Sequence, residues 1–358
     1  MTQQKFKKRF FEYGFQVGIL PPGPKNTIAD VGGIRVGHFT KLEGDDIRTG
    51  ITLIDPWTKD LFIKKLPAAV AVGNGFGKLA GSTQVDEMGV IETPIALTNV
   101  LAVGPVMRGV VDIMLKTTSV LSPLDAINVV VGEINDGRLN DIHQDVLKKE
   151  DVQKAFDALS SEVQIGNIGA GTGARAFSWK GGIGTASRTI TVAGARYTLG
   201  MLVLTNYGGS LTILGVPIGK ILDKTDFSDI TSAHDGGSCI VVLATDAPVT
   251  SRQLMRLARR SFLGLARTGS VMSHASGDYA IAFSTNRAGL EGSGTIGVCM
   301  EDKNLTGFFL AAVESVEEGV YDALFAAETM RGRGGNILES LPVDAVLHLL
   351  RKSIHTTP

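Results

Sequence analysis

The sequence is short of several things, and each shortage removes a class of function. Two cysteines in 358 residues, Cys239 and Cys299, cannot build a disulfide framework, and they read as two buried, reduced thiols. The six histidines, at 38, 143, 234, 274, 348 and 355, never fall into an H-x-H or H-E-x-x-H spacing. A histidine-based metal site therefore has no support, and no cofactor is expected. Charge of one sign is missing as well: 35 Lys and Arg stand against 36 Asp and Glu, so no basic excess is available to neutralise phosphates of a nucleic acid or an anionic membrane surface. No run of ~18 apolar residues occurs, which removes a membrane-spanning helix. The basic start, MTQQKFKKRFFEYGFQVGILPPGPKN, imitates a secretory signal. Glu12, Tyr13 and Gln16 break its apolar stretch and no A-x-A site follows, so the chain is read as cytoplasmic. Aromatics are only 6%, and neither internal repeats nor low-complexity linkers appear.

What the chain does have is glycine, 44 residues against an average share of ~7%, and a hydrophobic content of 44%. That pairing points to a large core with tight turns and close backbone approach, as in sheets packed face to face. Residues 1–26 read as a leader arm that ends in Pro21, Pro22, Gly23 and Pro24. Short apolar runs follow at 68–73, 127–132, 198–206, 239–246 and 279–284. Most are continuous rather than alternating, the pattern of strands covered on both faces. Helical spacing marks 105–117, 143–157, 250–267, 311–330 and 343–352, with Thr250 or Ser251 as a cap for the third. Strands and helices interleave throughout, so residues 1–358 read as one α/β unit.

Four segments could carry chemistry. GAGTGA at 169–174 imitates a dinucleotide fingerprint, but that motif needs a following helix and an acid about 20 residues on. Here poor helix material follows, and no Asp or Glu occurs between Glu162 and Asp223. If this acid-free stretch lines a site, it supplies backbone donors and neutral side chains, the makings of an oxyanion cradle. HDGGSCIVVLATDAP at 234–248 runs from a Gly-Gly turn straight into a buried strand beginning at Ser238. Such a turn tolerates the strain under which a serine hydroxyl could attack the preceding Gly237 carbonyl, although by itself it is also an ordinary turn. In HASGDYAIAFSTN at 274–286, Ser276 and Asp278 share a face if the strand has begun. In GEINDGRLND, Glu133 ends an apolar strand, with Asn135 in the polar turn beyond.

Taken together, these blocks resemble the L-aminopeptidase/D-Ala-esterase/amidase family and its β-peptidyl aminopeptidase relatives. The resemblance runs from about residue 22 to about residue 345. It rests on PGPKNTIADVGGIRVGH (22–38), AVGNGFGKLAGSTQVDEMGVIETPIALTNVLAVGPV (71–106), VVGEINDGRLNDI (130–142), GNIGAGTGARAFSWKGGIGTASR (166–188), VLTNYG (203–208), GGSCIVVLATDAP (236–248) and LARTGSVMSHASGDYAIAFSTN (265–286). It implies an αββα four-layer sandwich, the DmpA/ornithine-acetyltransferase fold. It also implies self-cleavage between Gly237 and Ser238 into an α chain 1–237 and a β chain 238–358. Ser238 then matches the N-terminal nucleophile and Ser276 and Asp278 the orienting pair. Asn206 matches the oxyanion-hole amide, and Glu133 with Asn135 the grip on the substrate's free amino group. Asp278 departs from relatives that carry glutamate there, by one methylene. The implied substrates are short peptides, amides or esters with a free amino group, of L-, D-Ala- or β-type, and the implied assembly is a homo-oligomer, a tetramer.

Chemistry supports the carry-over: a new serine α-amine has a reference pKa of about 7.7–8.0 and can take the hydroxyl proton. Two alternatives stay open. One is an acyltransferase similar to ornithine acetyltransferase, although those enzymes use threonine where Ser238 stands. The other is an uncleaved, non-enzymatic relative acting as a binding protein.

Overall fold

The computed structural model describes residues 8–56, 60–119, 121–226, 237–290 and 296–355. In chain order the strands are β1 (Arg35–Glu43), β2 (Ile47–Asp55), β3 (Leu66–Gly75), β4 (Leu79–Ala80), β5 (Val90–Ile91), β6 (Ile95–Asn99), β7 (Val130–Ile134), β8 (Arg175–Ala176), β9 (Trp179–Lys180), β10 (Ile183–Val192), β11 (Ala195–Asn206), β12 (Ser238–Thr245), β13 (Gly277–Ser284), β14 (Met330–Arg331) and β15 (Ile337–Leu338). The helices are α1 (Ser82–Met88), α2 (Val103–Thr117), α3 (Lys149–Asp157), α4 (Ile218–Ile221), α5 (Ser251–Arg267), α6 (Thr306–Phe325) and α7 (Val343–His355). Two sheets dominate, ordered β1-β2-β6-β7-β4 and β10-β11-β12-β13-β3-β5.

Side-chain alternation shows how they stack. Along β12, Ile240, Val242 and Ala244 join Val130, Ile134, Leu202, Leu204 and Ile281 in a core between the two sheets. Cys239, Val241 and Leu243 point the other way, into a core completed by Leu254 and Leu257 of α5 and Val316 and Val320 of α6. On the first sheet, Val129 and Val131 turn outward with Ile51 and Leu53, against Val106 and Val110 of α2 and Val152 of α3. The layers are thus α, β, β, α, as expected. Every residue of β12 and β13 is buried, which explains continuous apolar runs in place of alternation. Each fully buried aliphatic side chain here contributes about 1.5–3 kcal/mol.

Some local expectations shift. Helix α5 starts as expected, with the Thr250 hydroxyl accepting from the Gln253 N–H and the Gln253 side chain accepting from the Thr250 N–H. Helix α3 begins at Lys149 and not at 143. Asp141 holds the chain in a turn by accepting from the His143 N–H and Gln144 Nε2, and Asp151 then caps the Lys148 N–H. Helix α6 spans 306–325 where 311–330 was expected, because the chain beyond it turns to form β14. The described part of the leader arm is no loose tail. Phe10 is buried against Tyr321 and Phe325, and Glu314 of α6 accepts from the Ile19 and Leu20 N–H groups.

Candidate active site

One end of the second sheet gathers most of the singled-out residues. Ser238, the first residue of β12, pairs with Asn206, the last of β11, and with Gly277, the first of β13. The alternation set by Ile240 and Leu204 points both the Ser238 and the Asn206 side chains into the space between the sheets, where β7 ends. Both residues are almost fully buried.

The Ser238 hydroxyl donates to the Gly237 carbonyl oxygen at 2.6 Å, and the Gly277 N–H reaches the same oxygen at 3.3 Å. Thus a hydroxyl and a polarised carbonyl adjoin across one peptide bond. Gly277 has to be glycine for this: a Cβ there would sit 2.8 Å from the Phe76 carbonyl oxygen and 3.2 Å from the Ser238 hydroxyl. Gly236, the other half of the Gly-Gly turn, and His234 lie outside the described residues.

The Asn206 amide is fixed at both ends. Its Nδ2 donates to the Asn135 carbonyl at 3.0 Å, and its Oδ1 accepts from the Arg175 N–H at 2.9 Å. Here the acid-free stretch contributes: its backbone orients the amide. The GAGTGA run forms a tight turn at Gly169–Gly171 with no dinucleotide helix after it. Lys180, fully buried, stitches this loop by donating to the Gly171, Ala174 and Gly181 carbonyls at 2.7–3.0 Å.

Ser276 and Asp278 do share a face, the one toward the helices. The Ser276 hydroxyl donates to Asp278 Oδ1 at 3.0 Å, and both are fully buried. They approach from the face opposite the Ser238 hydroxyl, and a Cβ on Gly237 would lie 3.2 Å from the Ser276 hydroxyl. Burial pushes the Asp278 carboxyl up to about 6 despite the Ser276 hydrogen bond. Its Oδ2 has no partner among the described residues. Asn74 holds the preceding turn by donating to the Ser273 and His274 carbonyls at 3.1 and 3.0 Å. Next to Asp278, Cys239 is buried and its thiol pKa is pushed well up by burial and then by the Asp278 charge, which makes it a poor nucleophile. Cys299 is only partly buried, contrary to expectation, because its segment lies at the surface.

Glu133, at the end of β7, is almost fully buried. Burial raises its pKa, while the Lys78 N–H at 3.0 Å and the Lys78 ammonium at 3.4 Å pull it back. Its Oε2 has no partner among the described residues. Asn135 uses its Oδ1 to accept from the Gly137 N–H and borders a cleft of about 390 Å³ with Asn206 and Gly237. Asn74 and Lys78 carry no signal in the sequence, since long-range pairing brings them here, whereas Arg175 and Lys180 belong to the acid-free stretch read as a source of backbone donors. Gly277 stands in the SGD block between Ser276 and Asp278, and its contact with Gly237 is what the sequence leaves open. Among the described residues no group of three or more His, Cys, Asp or Glu could hold a metal, and no helix is long and apolar enough to cross a membrane.

Comparison with known proteins shows the family and the fold. The model of Peptidase family S58 matches residues 26–338. The beta-peptidyl aminopeptidase BapA of Sphingosinicella xenopeptidilytica is 36% identical, over 92% of this chain and 88% of that protein. Among solved structures, the PH0078 protein from Pyrococcus horikoshii superposes with a TM-score of 0.90 at 39% identity, covering 97% of this chain and 99% of the other. The L-aminopeptidase D-Ala-esterase/amidase of Ochrobactrum anthropi gives 0.87 at 33% identity, covering 98% and 100%. It is described as a prototype for the serine aminopeptidases and a new variant among the Ntn hydrolase fold.

Proposed function

The chain belongs to Peptidase family S58 and is a serine aminopeptidase of the N-terminal-nucleophile kind, and on that premise we propose that it cuts itself between Gly237 and Ser238 and uses Ser238 as the nucleophile. The observation that carries the proposal is the contact of the Ser238 hydroxyl with the carbonyl of its own preceding residue, at 2.6 Å, in a buried strand end. In self-cleavage the Ser238 oxygen attacks the Gly237 carbonyl carbon, with the Gly277 N–H helping to hold the developing negative charge. The C–N bond breaks as the ester forms, the Ser238 nitrogen takes the proton, and water then releases the Gly237 carboxylate and restores the hydroxyl.

The mature site follows from the same placement. The freed α-amine of Ser238 lies beside its hydroxyl and accepts the proton during attack on a substrate carbonyl. Ser276, backed by Asp278, stands against the bond that becomes this amine and steadies it through hydrogen bonding. The second Nδ2 hydrogen of Asn206 is available for the oxyanion, held at a fixed angle by Asn135 and Arg175. Glu133 offers its unpartnered oxygen to the substrate's ammonium, and Asn135 frames the same approach. A small peptide, amide or ester with a free amino group is thus the substrate class, β-peptides included. The working assembly is a cytoplasmic homotetramer, which light scattering on the purified protein would test.

The deciding experiment compares an aminoacyl amide with its N-acetyl derivative. Cleavage of the free amine alone is expected. Equal rates for the two would remove the role of Glu133 and leave a general amidase.

A further inference from the structure

The cleft beside Asn206 and Gly237 has a wall the reaction so far leaves unused. Arg138, Arg175 and Arg333 line it together with His143. Asp226 matches the Arg175 guanidinium in an ion pair. Arg138 and Arg333 are exposed, and neither forms an ion pair among the described residues. The backbone presents them as a unit: the Arg333 N–H donates to the Leu139 carbonyl, Arg333 Nη1 donates to the Gly137 carbonyl at 3.3 Å, and Asn336 Nδ2 donates to the Arg138 carbonyl at 3.1 Å. Two acids lie near: Asp141, which accepts from Gln144 and the His143 N–H and whose carboxyl the Arg333 charge helps to hold below its usual range, and Asp46, whose Oδ1 accepts from the Gly334 N–H at 3.1 Å. Glu133 faces a different neighbourhood, formed by Gly77, Lys78 and Tyr279.

Ser238 and Asn206 therefore stand between a buried carboxylate and a cationic cleft wall. We propose that Arg138 and Arg333 form a subsite for a carboxylate on the leaving-amine side, so that the enzyme favours short zwitterionic peptides over peptide amides. The inference rests on the aminopeptidase reading above. A zwitterionic dipeptide fits the site in one direction: its ammonium is attracted to Glu133 and repelled by the guanidiniums, and its carboxylate the reverse. A guanidinium suits a carboxylate because it offers a planar fork of donors. The interaction is present both before and during the chemical step, so it lowers KM more than it raises kcat.

The test uses the purified full-length protein, with cleavage followed on gels. The N-terminal residue X is the one released fastest from a set of α- and β-aminoacyl p-nitroanilides. Then kcat/KM is measured at low salt for X-Gly, X-Gly-amide and X-Asp-amide. We expect X-Gly to exceed X-Gly-amide about tenfold, mainly through KM, with the ratio falling toward one at high salt. The ratio should also collapse in the Arg138→Gln/Arg333→Gln double variant and largely persist in Arg333→Lys. Enhanced cleavage of X-Asp-amide identifies a side-chain carboxylate as an accepted source, and enhancement of X-Gly alone identifies the C-terminal one. A ratio near one in the unaltered enzyme, or a preference that survives the double substitution, would overturn the subsite. Failure to cleave any anilide or peptide would instead remove the aminopeptidase reading.

Discussion

Asn206→Ala separates a transition-state donor from a binding group. The Asn206 side chain is almost entirely out of solvent. One Nδ2 hydrogen is held by the Asn135 carbonyl at 3.0 Å, and Oδ1 by the Arg175 N–H at 2.9 Å. The remaining hydrogen is thus aimed without any reorganisation when negative charge develops, in a water-poor strand end. Losing one such donor costs about 10²–10³ in kcat, roughly 2.7–4 kcal/mol. The same truncation strips a partner from the Arg175 N–H and the Asn135 carbonyl, at about 1–3 kcal/mol for each one that stays buried and unpaired. A lower melting temperature should therefore accompany the lower kcat. Because the amide also adjoins the self-cleavage bond, intact mass spectrometry must first give the fraction of cleaved chain, and kcat is then expressed per cleaved molecule. KM should move little. A kcat close to that of the parent enzyme with a raised KM would refute the argument, since Asn206 would then only bind substrate.

Ser238→Ala should remain one folded chain of full mass without peptidase activity, whereas Ser238→Cys should still cleave in part, because a thiol is a competent nucleophile. A fragment of the first variant that begins with the substituted alanine would assign cutting to a contaminating protease. Asp278 gives a pH signature in that uncleaved Ser238→Ala protein. Its carboxyl, raised from 3.8 to about 6 by burial, favours the protonated form on folding. No penalty exists below the unfolded value, and the full penalty, on the order of 3 kcal/mol, is reached above about pH 6. Adding Asp278→Asn should thus raise stability relative to its parent as pH climbs from about 4 to about 6, measured by urea unfolding. A difference that does not vary with pH would show that the carboxyl is not buried as described.

The class of fold and the segments that matter were readable from the chain alone. Continuous apolar runs at 239–246 and 279–284 fit strands covered on both faces, and glycine with few aromatics allowed the sheets to pack closely. The blocks around Ser238, Ser276, Asp278 and Glu133 each join a polar turn to a strand end, which by itself also describes an ordinary turn; their roles, and that of Asn206, came from the resemblance of the blocks, in order, to one family. Charge balance and the scattered histidines argued against nucleic acid and a histidine metal site with no need of coordinates. Which faces these residues present depended on long-range pairing. The antiparallel register of β11 on β12 sets Asn206 beside Ser238, while strand alternation sends the Ser276–Asp278 pair to the opposite face, against Gly237. No local pattern encodes that choice, since a register shift of one residue would reverse it. Likewise Arg138 and Arg333 are 195 positions apart, and only the contact between their two loops makes them one wall.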